Sequence, residues 1–134
     1  MALIRFHLDS RSGVPTYLQL VQQVKRALRL GMLDVGDQLP TVREVVASVA
    51  INPNTVLKAY RDLEREGLLT SRRGQGTFVL RTLQGAPPAA LTDLRQELLR
   101  WIDIAYQAGL DSEGVLDLVM STFREIEAER EDTA

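Results

Sequence analysis

Cysteine is absent from this 134-residue chain, which excludes disulfides, cysteine-bound zinc and cysteine nucleophiles. Histidine occurs once. A lone His7 without companion ligands fits the surface of an extended segment better than a metal site or a general base. No stretch approaches the roughly 20 apolar residues that a membrane span needs. The opening MALIRFHLDSRSG lacks the basic start, long apolar core and cleavage site of a secretory signal, so the cytoplasm is the expected location. Nowhere does the chain assemble a nucleophile, a base and an orienting group. The Gly-X-Gly at Gly74-Gln75-Gly76 has no following Lys-Ser/Thr and no βαβ context, so nucleotide binding is not expected. What these absences leave is a non-enzymatic protein with no cofactor and no metal.

Apolar residues supply 45% of the chain and charged residues 25%. That is enough to pack a core, and the length allows one principal domain with a small second unit. The net charge of −2 hides a division. Residues 1–81 hold twelve Lys/Arg against seven Asp/Glu, a net +5, while residues 82–134 hold four against eleven, a net −7. A basic first part and an acidic second part point to different jobs.

The densest patterning lies in residues 39–79. Thr41 and Glu44 have capping-box spacing, and Val42, Val45, Val46 and Val49 form the apolar side of the helix they open. Asn52 is a good N-cap, and Pro53 occupies the first helical position, where a missing N–H costs nothing. Gly67 suits the left-handed residue that closes this second helix. Between them Val56, Ala59, Tyr60 and Leu63 share one face. At about 100° per residue, Asn54, Lys58, Arg61 and Arg65 share the opposite one. Two short strands then flank the glycine tip as a hairpin. A polar, basic stripe on a short helix after a tight turn is what a major-groove reader needs. Arg72 and Arg73, beside a tip without bulky side chains, suit phosphate or a minor groove. The whole pattern is that of a winged helix-turn-helix.

Around this stretch the chain is simpler. Ile4, Phe6 and Leu8 alternate with Arg5 and His7 as a short extended segment, and residues 9–13 read as a turn. A helix from Thr16 to near Gly31 carries Leu20, Val24, Ala27 and Leu28 inward, with Lys25, Arg26 and Arg29 either solvated or near phosphate. TLQGAPPAA, residues 82–90, breaks the periodicity as a linker. Two helices follow, one from about Leu91 to Ala108 and one opened by Asp111 or Ser112. Their apolar surface, including Leu94, Leu98, Trp101, Val115, Val119 and Phe123, is wider than two facing helices can cover. A second copy of the chain is the economical cover, giving a homodimer. Trp101, Tyr106, Met120 and Phe123 alternatively line a small-molecule pocket.

The segments GMLDVGDQLPTVREV and NPNTVLKAYRDLEREGLLTSRRGQGTFV, preceded by VPTYLQLVQQVKRAL, resemble the GntR family over roughly residues 13–80. The first follows that family's pattern Gly-x-Leu-x-x-Gly-Asp-x-Leu-Pro-Ser/Thr-x-Arg. Asn-Pro-Asn-Thr-Val together with a short helical C-terminal part is similar to the YtrA subfamily. The resemblance implies a bacterial transcription regulator, usually a repressor, bound to a palindromic double-stranded DNA operator as a homodimer. By position it implies DNA contacts from Arg43, from Asn52, Asn54 and Thr55, and from Arg73 and Gly74 at the wing tip. The pattern of the residues themselves adds Lys58, Arg61, Arg72 and Gly76. Ala50 stands where the family commonly has glycine; a positive φ there would strain alanine by roughly 1 kcal/mol. Pro53 replaces a residue that is often a polar or basic contact, which moves base readout towards Asn54 and Lys58.

The expected architecture is mainly α with a small β-hairpin wing. A winged helix-turn-helix DNA-binding domain spans 1–81, a linker 82–90, and a two-helix dimerisation module 91–134. Two rival functions remain open. One is an effector-gated sensor with an unknown small molecule between the C-terminal helices; the other is a winged-helix protein-interaction module.

Overall fold

Leu20, Val24, Ala27 and Leu28 recur at helical spacing and become the buried side of α1, Thr16–Arg29. In the computed structural model, which describes residues 4–83 and 85–133, six further elements follow. They are α2 (Val42–Val49), α3 (Pro53–Arg65), β1 (Leu69–Arg72), β2 (Gly76–Val79), α4 (Pro88–Gln107) and α5 (Ser112–Thr133). The molecule is mainly helical with a two-stranded antiparallel hairpin, in agreement with the sequence. It divides into two units, Met1–Pro87 and Pro88–Ala134. Residues 82–87 carry no charge, so the first unit keeps the +5 and the second the −7.

The first unit packs α1, α2, α3 and the hairpin around Leu20, Leu28, Val45, Val56, Leu63 and Leu69, all buried. Val42, Val46 and Val49 lie half-buried against this core. The hairpin register sets Leu69 opposite Val79 and Arg72 opposite Gly76. Residues 36–39, which connect α1 to α2, lie along the other edge of β2. Leu39 N donates to Thr77 O at 2.8 Å, and Val79 N donates to Asp37 O at 2.8 Å. Gln38 forms a bridge with Phe78. The connector thereby satisfies backbone groups that an isolated hairpin would leave to water.

Alternation at the N-terminus is borne out by burial of Ile4 and Phe6 on either side of exposed Arg5. No strand partners this segment among the described residues; glutamine side chains on α1 do so instead. Gln23 accepts from His7 N at 3.1 Å and donates to His7 O at 2.6 Å. Gln19, buried, accepts from Asp9 N at 2.9 Å and donates to Asp9 O at 3.0 Å and Val14 O at 2.9 Å. After the wing the chain is tied back to the same body. Arg81 Nη2 donates to Glu66 O at 2.8 Å, Thr82 Oγ1 donates to Leu28 O at 3.3 Å, and Leu83 packs on the core.

In the second unit α4 starts at Pro88, inside the stretch expected to be linker. Proline breaks a helix interior but is well suited to its first position, where φ is already right and no N–H is required. Thr92 Oγ1 donates back to Pro88 O at 3.0 Å. Gly109, at φ 104, follows α4, and Asp111 Oδ1 caps α5 by accepting from Gly114 N at 2.8 Å. Only Ala105 and Val115 of the described residues in this unit are buried. No helix among the described residues is long and apolar enough to cross a membrane.

Candidate nucleic-acid interface

The two helices of the central motif are held by caps at every junction. Thr41 Oγ1 accepts from Glu44 N at 3.1 Å while Glu44 Oε1 accepts from Thr41 N at 3.3 Å, a complete capping box. Ala50 ends α2 in the left-handed region, φ 53 and ψ 49, with its N–H on Val46 O. Asn52 Oδ1 then accepts from Asn54 N at 2.8 Å and starts α3 with Pro53 in its first turn. Tyr60, on the buried face of α3, donates its hydroxyl to Pro40 O at 2.6 Å. This bond fixes α3 to the entrance of α2. Burial raises the Tyr60 hydroxyl far above its ordinary range, and the charge of Glu44 adds to the rise.

With Val56, Ala59, Tyr60 and Leu63 buried, Asn54, Lys58, Arg61 and Arg65 are left exposed on the opposite side of α3. Arg43 and Asn52 are exposed as well, and Thr55 is half-buried. Three of these side chains carry constraints, of which the sequence revealed only the Asn52 cap. The Asn52 oxygen serves the cap, so only its nitrogen is left to face outward. Lys58 Nζ stands 3.9 Å from the centre of the Tyr17 ring, which draws the ammonium towards the start of α1. Arg65 pairs with Asp62 at 3.4 Å. Lys25 of α1, left open between water and phosphate by sequence, pairs with Glu66 at 2.8 Å.

At the wing, Arg72 stacks its guanidinium 4.6 Å from the Phe78 ring centre. Gln75 N donates to Arg72 O at 2.9 Å and closes the turn in which Gly74 takes φ 75. Arg73 and Gly74 are exposed at this tip. Gly76 has a different reason to be glycine: φ is 123, and a Cβ there would lie 2.7 Å from Gln38 Nε2. It is half-buried beneath that side chain. An open hollow of about 400 Å³ lies between the wing turn and Thr41, lined by Arg72 and Arg73 among others. Wing tip and α2 entrance therefore face one space. The stack of Lys58 on Tyr17 and the reach of Gln38 escaped the sequence reading; for Gln38 the available signal was Gly76, a glycine inside a strand, which marks close approach.

The helical unit presents an apolar groove of about 470 Å³ lined by Leu98, Trp101, Leu118, Val119, Thr122, Phe123 and Ile126. Leu94 is exposed outside it. Val115, expected at the dimer interface, is buried within its own unit. One sequence expectation requires correction here. Tyr106 and Met120, grouped with Trp101 and Phe123 as pocket residues, do not line the groove and are exposed. Helical phase explains both: Tyr106 lies about 140° from Trp101, and Met120 about 130° from the middle of the arc that Leu118, Val119, Thr122, Phe123 and Ile126 span.

Residues 16–79 match the family model described as bacterial regulatory proteins, gntR family. The chain is 38% identical over 107 residues to the HTH-type transcriptional repressor YtrA of Bacillus subtilis (strain 168), covering 79% of this chain and 82% of that one. It is 34% identical over 115 residues to the uncharacterized HTH-type transcriptional regulator YhcF of the same organism, covering 86% and 94%. A transcriptional antiterminator from Listeria monocytogenes EGD-e aligns in structure with a TM-score of 0.58 at 30% identity, over 93% of this chain and 94% of that one. YtrA from Sulfolobus acidocaldarius, a GntR-family transcription factor, aligns with a TM-score of 0.51 at 28% identity, over 72% and 96%. A capped helix pair, a pinned wing and relatives that match through both lead to one conclusion: the chain belongs to the GntR family of bacterial regulatory proteins.

Proposed function

We propose that the protein is a cytoplasmic, sequence-specific transcription regulator of the YtrA type, a repressor that binds a palindromic operator as a homodimer. The observation that carries this reading is the exposed polar stripe of α3, flanked by Arg43 and the wing arginines on one body. Asn54 and Lys58 offer donors to base edges in a major groove, and Asn54 an acceptor too. Arg43, Arg61, Arg72 and Arg73 supply the salt-dependent attraction to phosphate. The acidic helical unit holds two reading heads together through Leu94, Leu98, Trp101, Val119 and Phe123. Selection of bound duplexes from a random pool tests the function: a two-fold symmetric consensus is expected. Arg43→Ala and Arg73→Ala should each weaken binding to that consensus and lower the salt slope by about 1. Unchanged affinity in both across a salt titration would remove this contact surface.

The groove between α4 and α5 shares Leu98, Trp101, Val119 and Phe123 with that surface and favours a second role, reception of a small apolar effector in competition with the partner copy. Trp101, the chain's single tryptophan, borders the groove. Its fluorescence should respond to a compound that also releases DNA; a release without that response would place the effector elsewhere.

A further inference from the structure

Wings of two strands and a short turn are floppy unless something outside the hairpin holds them. Here the backbone of residues 36–39 holds β2, and the side chain of Gln38 extends that hold to the turn. The backbone of Gln38 bridges Phe78 of β2, and its Nε2 reaches over Gly76 to donate to Gln75 O in the wing turn at 3.0 Å. A side chain at position 76 would occupy that path, since its Cβ would meet Nε2 at 2.7 Å. Gln38 is exposed and stands three residues before the Thr41 cap of α2. It therefore links the turn bearing Arg73 to the segment that leads into Arg43.

We infer that Gln38 is a positioning residue for DNA recognition: its carboxamide staples the wing turn to the entrance of α2, so that Arg73 and Arg43 meet the duplex at a fixed separation. The inference rests on the DNA-binding reading. Without the staple the tip must be ordered at the moment of binding, and the cost appears as lost affinity. Gln38 acts through Arg73 in this scheme, so removing both should cost less than the two losses combined.

The test uses the full chain and the duplex recovered by selection. Gln38→Met keeps the length of the side chain and deletes only its hydrogen-bonding end. In the free variant, backbone order parameters at Gly74 and Gln75 should fall from a rigid value of about 0.85 to below about 0.6. The melting temperature should stay at the wild-type value. Operator affinity should fall about three- to tenfold, the range expected of one hydrogen bond. Arg73→Ala should then cost less in the Gln38→Met background than in the wild type. Unchanged order parameters, unchanged affinity or strictly additive losses would each overturn the inference. If the wild type binds random and selected duplexes equally, the DNA-binding reading fails instead. The order parameters, measured without DNA, still decide whether Gln38 holds the tip.

Discussion

Ala50 adopts φ 53 and ψ 49 without glycine's freedom. Left-handed backbone costs a residue with a Cβ roughly 1–2 kcal/mol, and this strain sits in the turn that sets the angle between α2 and α3. Ala50→Gly should raise the unfolding free energy by about 1 kcal/mol, read as a higher denaturation midpoint in urea. No gain would mean that the turn relaxes the strain by other means. Tyr60 offers a second test at the same scale. Its folded hydroxyl titrates above the ordinary value, so the native state favours the protonated form. The associated stability is complete below the unfolded pKa near 10 and is lost as pH rises beyond it. Wild-type protein should therefore weaken in this alkaline window. Tyr60→Phe should start about 1 kcal/mol less stable, through loss of the bond to Pro40 O, and show a flatter decline. Parallel pH profiles would contradict that assignment.

At the scale of elements, the cap and the proposed DNA contact of Asn52 can be separated. Its oxygen caps α3, and the contact would fall to its nitrogen. Asn52→Asp keeps an acceptor for the cap and favours the helix N-terminus. It also removes the outward amide donor and places a negative charge where phosphate would sit. Melting temperature should hold while operator affinity falls, and wild-type affinity in this variant would leave Asn52 a cap alone. The capped helices were legible in the sequence because caps, prolines and apolar periodicity are local signals: Thr41 with Glu44, Asn52 with Pro53, and Val56 through Leu63 all stand where spacing put them. Pairing between segments distant in sequence was not legible. The ladder from residues 36–39 to β2, the glutamines that hold the N-terminal segment, and the Lys58–Tyr17 stack all depend on tertiary approach. The start of α4 was misplaced for another reason. A proline pair reads as a break from either side, yet the second proline opens the helix.

For the whole molecule, the two units differ in how much of themselves they bury. The first has a continuous core, whereas the second leaves Leu94, Leu98, Leu99, Ile104, Leu116, Phe123 and other large apolar residues exposed. Apolar surface on that scale is what association sites expose, and it supports the proposed dimer. Deleting residues 88–134 should leave a folded monomer by light scattering and circular dichroism. Operator binding should weaken because each head then binds alone. A truncated protein that remains dimeric would move the interface into the first unit.

Arg81, Thr82 and Leu83 are anchored to the body of the first unit, so few residues connect that body to α4. From Leu83 to Pro88 the chain takes five residue steps, and at about 3.6 Å each it reaches roughly 18 Å at most. Adding half a turn of DNA between two half-sites moves one of them by about 17 Å and to the opposite face of the duplex. In the proposed dimer the connecting segments of both copies share this shift and the move to the opposite face, which takes up most of their joint reach. Operators should therefore be tolerated in one rotational phase only. An insertion of eight Gly/Ser residues after Gly85 should let the protein hold a half-turn-shifted operator that the native chain releases. Equal binding of both phases by the native chain would mean that the units themselves give way. In the proposed dimer, so short a connection makes the spacing of half-sites as much a part of the address as their bases.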